Sequence, residues 1–342
     1  PDPCPQTILI LKNRLVRVLI TGATGFVGGW TAAAIAEQGH ELRFLVRSPD
    51  KLRRTADFFG FNGDDHVVGD ITDPTSTASA LQGCDAVVHT AAEVVLQHTD
   101  DADDDAMVAR NVAGTRNIVG GAVDAGIGAI VHVSSSVVLW SKTRPILDGE
   151  SPLTGGAGAY GRSKTAVEKY VRDLQDRGAP IAITYPCGVM GPAAAGHLGE
   201  SGDGLFSLAD AGVLGRTGGL TVVDVRDLAD LHTRLIEPGH GPRRVAAGGH
   251  RLTGRALARA MSAASGRRVH YIPIPNTALV GLGRLADRFR NLVPASLEQL
   301  SETAVDYLLY PPDPDNSTAE ALGVTFRPIS ETFEAVFASR VR

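Results

Sequence analysis

Cysteine is scarce in this chain: Cys4, Cys84 and Cys187 are widely separated and odd in number. They offer neither a disulfide framework nor metal-ligand spacing, so a reducing compartment and a cytoplasmic location are expected. Long hydrophobic runs are also missing. None reaches the roughly 18–20 residues of a membrane-spanning helix, and the nearest, Ile8 to Ile20, is broken by Lys12, Arg14 and Arg17. No basic region followed by a long apolar stretch opens the sequence, so no signal peptide is expected. Neither sign of charge dominates. A net charge of −5 leaves no basic stripe for nucleic acid. The histidines lack H-x-x-x-H spacing, and "DDADDD" at 100–105 lacks the turn glycine and distal glutamate of a calcium loop. No metal site is expected, and those acids read as a solvated helix entry.

What is present is enough apolar residue, 43% of 342, to bury a full core. β-Branched runs at 17–21, 41–47, 66–70, 85–90, 129–135 and 181–186 alternate with helix-like stretches at 28–38, 103–123 and 160–176. Strands this hydrophobic, separated by helices, imply an α/β fold: a doubly wound, parallel Rossmann sheet with right-handed crossovers. Alternation weakens after Pro186. Residues 222–236 read as a short strand and helix, 243–249 as one more strand, and the remainder as mainly helical. The expected layout is an N-terminal extension over 1–15 and a nucleotide-binding domain over 16–186 plus 221–250. A smaller, mainly helical substrate domain would comprise 187–220 plus 251–342.

The first strand runs into "TGATGFVGG" (21–29), where Gly22, Gly25 and Gly28 are spaced G-x-x-G-x-x-G. Glycine allows the tight turn and close backbone approach to a pyrophosphate, and the following helix supplies free N–H groups and a favourable dipole. Further on, "AYGRSK" places Tyr160 and Lys164 at i and i+4 on one helix face. A nearby ammonium lowers a phenol's pKa towards the working range of an acid–base group. "HVSSSVVLW" (132–140) ends a strand whose carboxyl edge faces the cofactor crevice.

These motifs, in this order, resemble the extended short-chain dehydrogenase/reductase family, the NAD-dependent epimerase/dehydratase group. The resemblance runs over most of the chain from Arg17 onward. By its Ser–Tyr spacing it implies Ser136 as the catalytic serine, with Ser135 as the alternative one position away. It also implies Tyr160 and Lys164 as the acid–base pair and Asn111, in "NVAGT", in a supporting role. Thr21, Gly22, Thr24, Gly25, Phe26, Val27 and Gly28 would hold the pyrophosphate, and Asp70 and Ile71 of "GDITD" the adenine. "VVHTAA" brings Thr90, Ala91 and Ala92 beneath the pyrophosphate and ribose. Ser134, Tyr160 and Lys164 continue that surface. Pro186, Gly188 and Val189 of "YPCGVMGP" would flank the nicotinamide. That stretch resembles Arg-Pro-x-x-Val-Tyr-Gly-Pro, with Tyr185 in place of the arginine and Met190 in place of the tyrosine. A homodimer through helix 103–123 is an arrangement the resemblance allows.

Two departures from the common pattern carry the finer expectations. Nineteen residues after Gly28, where a ribose-reading acid is expected, stands Arg47, with Lys51 following. A guanidinium there suits a 2′-phosphate, so NADP is preferred and NAD is the alternative. After the serines stand Val137 and Val138, where dehydratases carry an acidic pair, and the loop 187–220 holds one arginine, Arg216. A diphosphate normally calls for bidentate arginines. The expected substrate is therefore a modest, mostly apolar small molecule, met by Ser136, Val137, Trp140, Met190 and Phe206. That character resembles the dihydroflavonol reductase and 3β-hydroxysteroid dehydrogenase branch. The alternatives are an NAD-dependent nucleotide-sugar epimerase drawing on Arg251, Arg255 and Arg288, and a non-catalytic NAD(P)-sensing protein.

Overall fold

A computed structural model of the chain describes residues 15–94, 101–156, 158–288 and 302–339. Most of the expected extension over 1–15 lies outside the described residues. The apolar runs form strands because both of their faces are covered. β1 (Arg17–Thr21), β2 (Glu41–Val46), β3 (His66–Val68), β4 (Ala86–His89), β5 (Ala129–Val133), β6 (Ile181–Pro186) and β7 (Arg243–Ala247) build one sheet. Its order is β7-β6-β5-β4-β1-β2-β3, with every pairing parallel. Winding reverses between β1 and β4, so their carboxyl ends open the crevice where such sheets bind ligands.

The helices lie on both faces. α1 (Phe26–Glu37), α2 (Pro49–Phe59), α3 (Pro74–Leu81), α4 (Asp101–Thr115), α5 (Gly158–Asp176), α6 (Gly199–Ala211) and α7 (Val225–Leu235) follow in chain order. Alternation along β1 separates two cores. Val18 and Ile20 pack with Ile35 of α1 and Leu231 of α7, while Leu19 packs with Leu81 of α3 and Val171 of α5. Each such buried side chain contributes about 1.5–3 kcal/mol. Local signals set the helix ends: Asp73 accepts from the Thr75 and Ser76 amides ahead of α3, and Gly60 ends α2 in the left-handed region at φ 77°. The expected helix over 103–123 is not uniform. After Thr115 it widens into a π turn, Arg116–Gly120, before resuming at Gly121–Asp124.

A second layer covers the carboxyl edge of the sheet. Short strands at Gly188–Met190, Gly219–Asp224 and His250–Thr253 pair into a small sheet. Around it lie α8 (Gly254–Ser265), α9 (Asn276–Arg288), α10 (Glu302–Leu309) and α11 (Ile329–Ser339). Leu205, Val222, Leu257, Met261 and Phe333 form its core. Among the described residues, no helix is long and apolar enough to cross a membrane.

Candidate active site

The glycine turn is built for a tightly apposed ligand. Gly22 has φ +79°, and its carbonyl accepts from the Gly25 amide at 2.9 Å. A Cβ on Gly28 would overlap that carbonyl. β4 braces the turn: the Thr90 amide and Oγ1 donate to the Thr21 carbonyl at 3.3 and 2.7 Å. Gly25 starts α1 with no side-chain cap. The first amides of α1 therefore face the crevice, and a pyrophosphate fits this cradle.

At the other end of the crevice, Arg47 leaves β2 with 84% of its side chain exposed, its Nη1 3.9 Å from Asp70 Oδ2. Lys51 lies in the first turn of α2, where its amide donates to Ser48 Oγ at 3.3 Å. The Thr72 amide and hydroxyl donate to Asp70 at 2.9 and 2.8 Å and hold its carboxyl below the usual range. Two basic residues, Arg47 and Lys51, thus bracket the start of α2 just after the end of β2.

The reacting groups sit where β5 ends and α5 begins. Tyr160 and Lys164 are one turn apart on α5, and of the three serines it is Ser135 that bears on the Tyr160 phenol, opposing the rise in its pKa. This differs from the expected Ser136. Ser136 is 1% exposed, and its Oγ lies 3.2 Å from the Tyr307 hydroxyl. The backbone explains the exchange. Ser135 is still extended, at φ −157° and ψ 146°, and Ser136 opens a 3-10 turn, so successive side chains diverge. Asn111 acts as a clamp: its Nδ2 donates to Ser163 Oγ at 2.8 Å and to the Glu93 carbonyl at 2.9 Å, and its Oδ1 accepts the Glu93 amide at 2.8 Å.

Burial governs the electrostatics. It lowers the Lys164 ammonium to about 8, against the pull of Glu168 and Glu200, and Lys164 Nζ donates to the Val133 carbonyl at 3.3 Å. Burial also holds the Tyr160 phenol above its ordinary value, with the Ser135 hydrogen bond opposing and Glu200 reinforcing. The lowering expected from Lys164 is not among these influences. His89 on β4 is pushed down to about 3, by burial first and the Lys164 charge second, and His132 on β5 falls well below its usual range. The two neutral rings stack 5.6 Å apart. A small cavity beside them is lined by Asn111, Thr115, His132, Ser163 and Lys164.

Several expected residues lie elsewhere. Ser134 is 4% exposed, and its hydroxyl donates to Glu168 at 2.7 Å, away from the crevice. Met190 and Phe206, expected at the substrate, are 3% and 7% exposed. The strand bearing Met190 pairs with Val222–Asp224, and α6 turns Phe206 edge-on to Phe337 at 5.4 Å, which places both in the core of the second layer. Ile71 packs against α4 at Gly114, and Phe26 packs under Gly199. Thr21 and Pro186 are buried; Thr24, Val27, Ala91, Ala92, Gly188 and Val189 are half-buried. Val137 and Trp140 remain half-buried beyond the serines. Trp140 faces the Tyr307 ring at 5.4 Å and donates its Nε1 to the Tyr310 carbonyl at 2.9 Å. Sequence reasoning missed Tyr307, Glu200 and Glu168. Only Glu168 left a local sign, its i+4 spacing from Lys164.

Comparison with known proteins agrees with this architecture. Residues 18–248 match the NAD dependent epimerase/dehydratase family. A putative dihydroflavonol 4-reductase of Synechocystis sp. is 35% identical over 51% of this chain and 49% of its own length. A 3-beta-hydroxysteroid dehydrogenase of Mycolicibacterium neoaurum is 31% identical over 53% and 50%. The chain thus spans about half the length of these curated relatives. Among solved structures, that of gox2253 superposes with a TM-score of 0.76 at 26% identity, covering 95% of this chain and 98% of that one.

Proposed function

The chain belongs to the NAD dependent epimerase/dehydratase family, and from that premise we propose that it is an NADPH-dependent reductase. Its substrate would be the aldehyde or ketone of a modest, largely apolar molecule, with the reverse oxidation also available. The observation that carries this reading is that Tyr160 and Lys164 stand one turn apart on α5, with Lys164 Nζ donating to the Val133 carbonyl at the end of β5, directly before the serines. A bound nicotinamide supplies the hydride in reduction and accepts it in oxidation. The chain handles the oxygen. Tyr160 donates its phenolic proton as the carbonyl oxygen becomes an alkoxide, and Ser135 donates a hydrogen bond to the same atom as charge builds there. Lys164, charged below about pH 8, compensates the phenolate left behind.

Arg47, Lys51 and the N-terminus of α2 support preference for a 2′-phosphate, which a guanidinium holds by charge-assisted hydrogen bonds. Trp140 and Tyr307 replace Met190 and Phe206 as the side chains we assign to the substrate, because they flank the serine turn. The test is turnover of NADPH with a panel of aldehydes and ketones by the protein and by Tyr160→Phe. Loss of a general acid should lower kcat by about 10²–10⁴ while NADPH still binds. A Tyr160→Phe protein that retains turnover would overturn the assignment.

A further inference from the structure

Beneath the reacting groups lies a buried charged cluster that the proposed proton transfer does not use. Glu168 follows Lys164 by one helical turn and is 0% exposed. Its Oε2 accepts the Ser134 hydroxyl at 2.7 Å. Its Oε1 accepts the Tyr185 hydroxyl at 2.6 Å and Arg172 Nε at 2.8 Å. Arg172 Nη2 also donates to the Tyr185 oxygen at 2.8 Å, and its guanidinium lies 5.6 Å from the centre of that ring. Tyr185 stands where the resembling stretch has arginine, and the guanidinium meeting Glu168 comes from α5 itself.

Three elements therefore meet at one carboxylate: α5 through Glu168 and Arg172, the end of β5 through Ser134, and β6 through Tyr185. Ser134 adjoins Ser135, and Lys164 lies one turn back on α5. The Glu168 carboxylate is thus tied to the residue before Ser135 and lies on the helix one turn from Lys164. A carboxylate at this depth costs several kcal/mol unless it is paired and hydrogen-bonded, and here its partners are a guanidinium and two hydroxyls. A cluster serving stability alone is replaceable by apolar side chains of similar volume. Its position next to Lys164 gives it a second consequence.

We infer that Glu168 is a positioning residue for the reaction: its carboxylate, held by Arg172 and Tyr185, fixes Ser134 and the Lys164 turn of α5 and supplies the counter-charge to Lys164. This rests on Tyr160 and Lys164 being the reacting pair. The groups that bear on the Lys164 amine are Glu168 on α5, Glu200 on α6, His89 on β4 and His132 on β5. The histidines stay neutral, so Glu168 and Glu200 provide the opposing charge. Glu168 is the stronger influence of the two.

The test is a carbon-13 lysine NMR titration of the full chain, with the Lys164 signal assigned by its loss in Lys164→Met. This readout needs no substrate. The midpoint expected for the native protein is about 8, lowered by burial. Glu168→Gln leaves Arg172 unbalanced, and the Lys164 midpoint should fall by about one unit, a tenfold change in proton affinity. Arg172→Gln keeps the carboxylate and removes the competing cation, so the midpoint should rise. This second variant gives a result even if Glu168→Gln does not fold. Ser134→Ala breaks one hydrogen bond without changing charge, so it should lower kcat and leave the midpoint in place. Unmoved midpoints in folded Glu168→Gln or Arg172→Gln, whatever their loss of thermal stability, would overturn the proposal. An active Tyr160→Phe protein would instead overturn the reacting pair, so the two failures are distinguishable.

Discussion

Replacing Ser135 and Ser136 separately by alanine tests whether backbone geometry selects the serine that meets the substrate oxygen. Ser135 faces Tyr160, whereas Ser136 is buried with its Oγ 3.2 Å from the Tyr307 hydroxyl. Removing Ser135 takes away a donor aimed at the developing alkoxide. Loss of such a donor costs about 10²–10³ in kcat, or roughly 2.7–4 kcal/mol of transition-state stabilisation. Removing Ser136 leaves the Tyr307 hydroxyl short of one partner, at about 1–3 kcal/mol of folding stability. Its kcat should stay within about tenfold, because no donor to the reacting oxygen is lost. The assay follows reduced-nicotinamide absorbance with any carbonyl the native protein turns over, alongside NADPH binding and thermal unfolding. Ser135→Ala should bind NADPH, unfold normally and turn over slowly; Ser136→Ala should turn over well and unfold earlier. If Ser136→Ala loses the larger share of kcat at native stability, the assignment from the strand end is wrong.

Other perturbations reach other parts of the molecule. Arg47→Ala should weaken NADPH binding by about tenfold or more while sparing NADH, since one charge-assisted contact contributes roughly 1.5–3 kcal/mol; equal effects on both nucleotides would remove Arg47 from the cofactor site. Gly28→Ala forces a Cβ onto the Gly22 carbonyl, so NADPH binding should be lost, and calorimetry showing native affinity would refute the cradle. His232, buried between Thr31 at 2.9 Å and Thr184 at 3.2 Å, is held down to about 3. Its folded pKa lies below the unfolded value of about 6.5. Protonation therefore favours the unfolded chain, and stability present above pH 6.5 is lost as pH falls towards 3. The slope is about 1.4 kcal/mol per pH unit for this group. His232→Gln should flatten acid unfolding followed by circular dichroism, and an unchanged slope would refute this account.

The sheet was legible because its cause is local. Strands buried on both faces need continuous β-branched runs, and those at β1, β2, β4, β5 and β6 appear in sequence close to their structural bounds. The glycine turn was legible for a similar reason: the backbone forbids a Cβ at Gly28, and the sequence complies. The serine was harder. Adjacent residues in "SSS" differ only in backbone dihedrals, and the start of the 3-10 turn at Ser136 decides which side chain faces Tyr160. Met190 and Phe206 misled because an apolar residue after a cofactor-flanking strand can line a pocket or fill a core. Pairing of Gly188–Met190 with Val222–Asp224 puts Met190 into the core, and α6 packs Phe206 there against Phe337.

By itself the sequence determined the alternation of strand and helix, the glycine cradle and the Tyr160–Lys164 spacing. Each depends on residues within a turn or two of one another, where covalent geometry sets the outcome. Only the tertiary structure decided that Tyr307 reaches Ser136 from 171 positions away, and that Glu168, Arg172 and Tyr185 close one charged cluster. Those arrangements follow from packing between distant elements. Burial then sets the charge on Lys164 and the hydrogen bonds open to each hydroxyl, and no local spacing encodes burial.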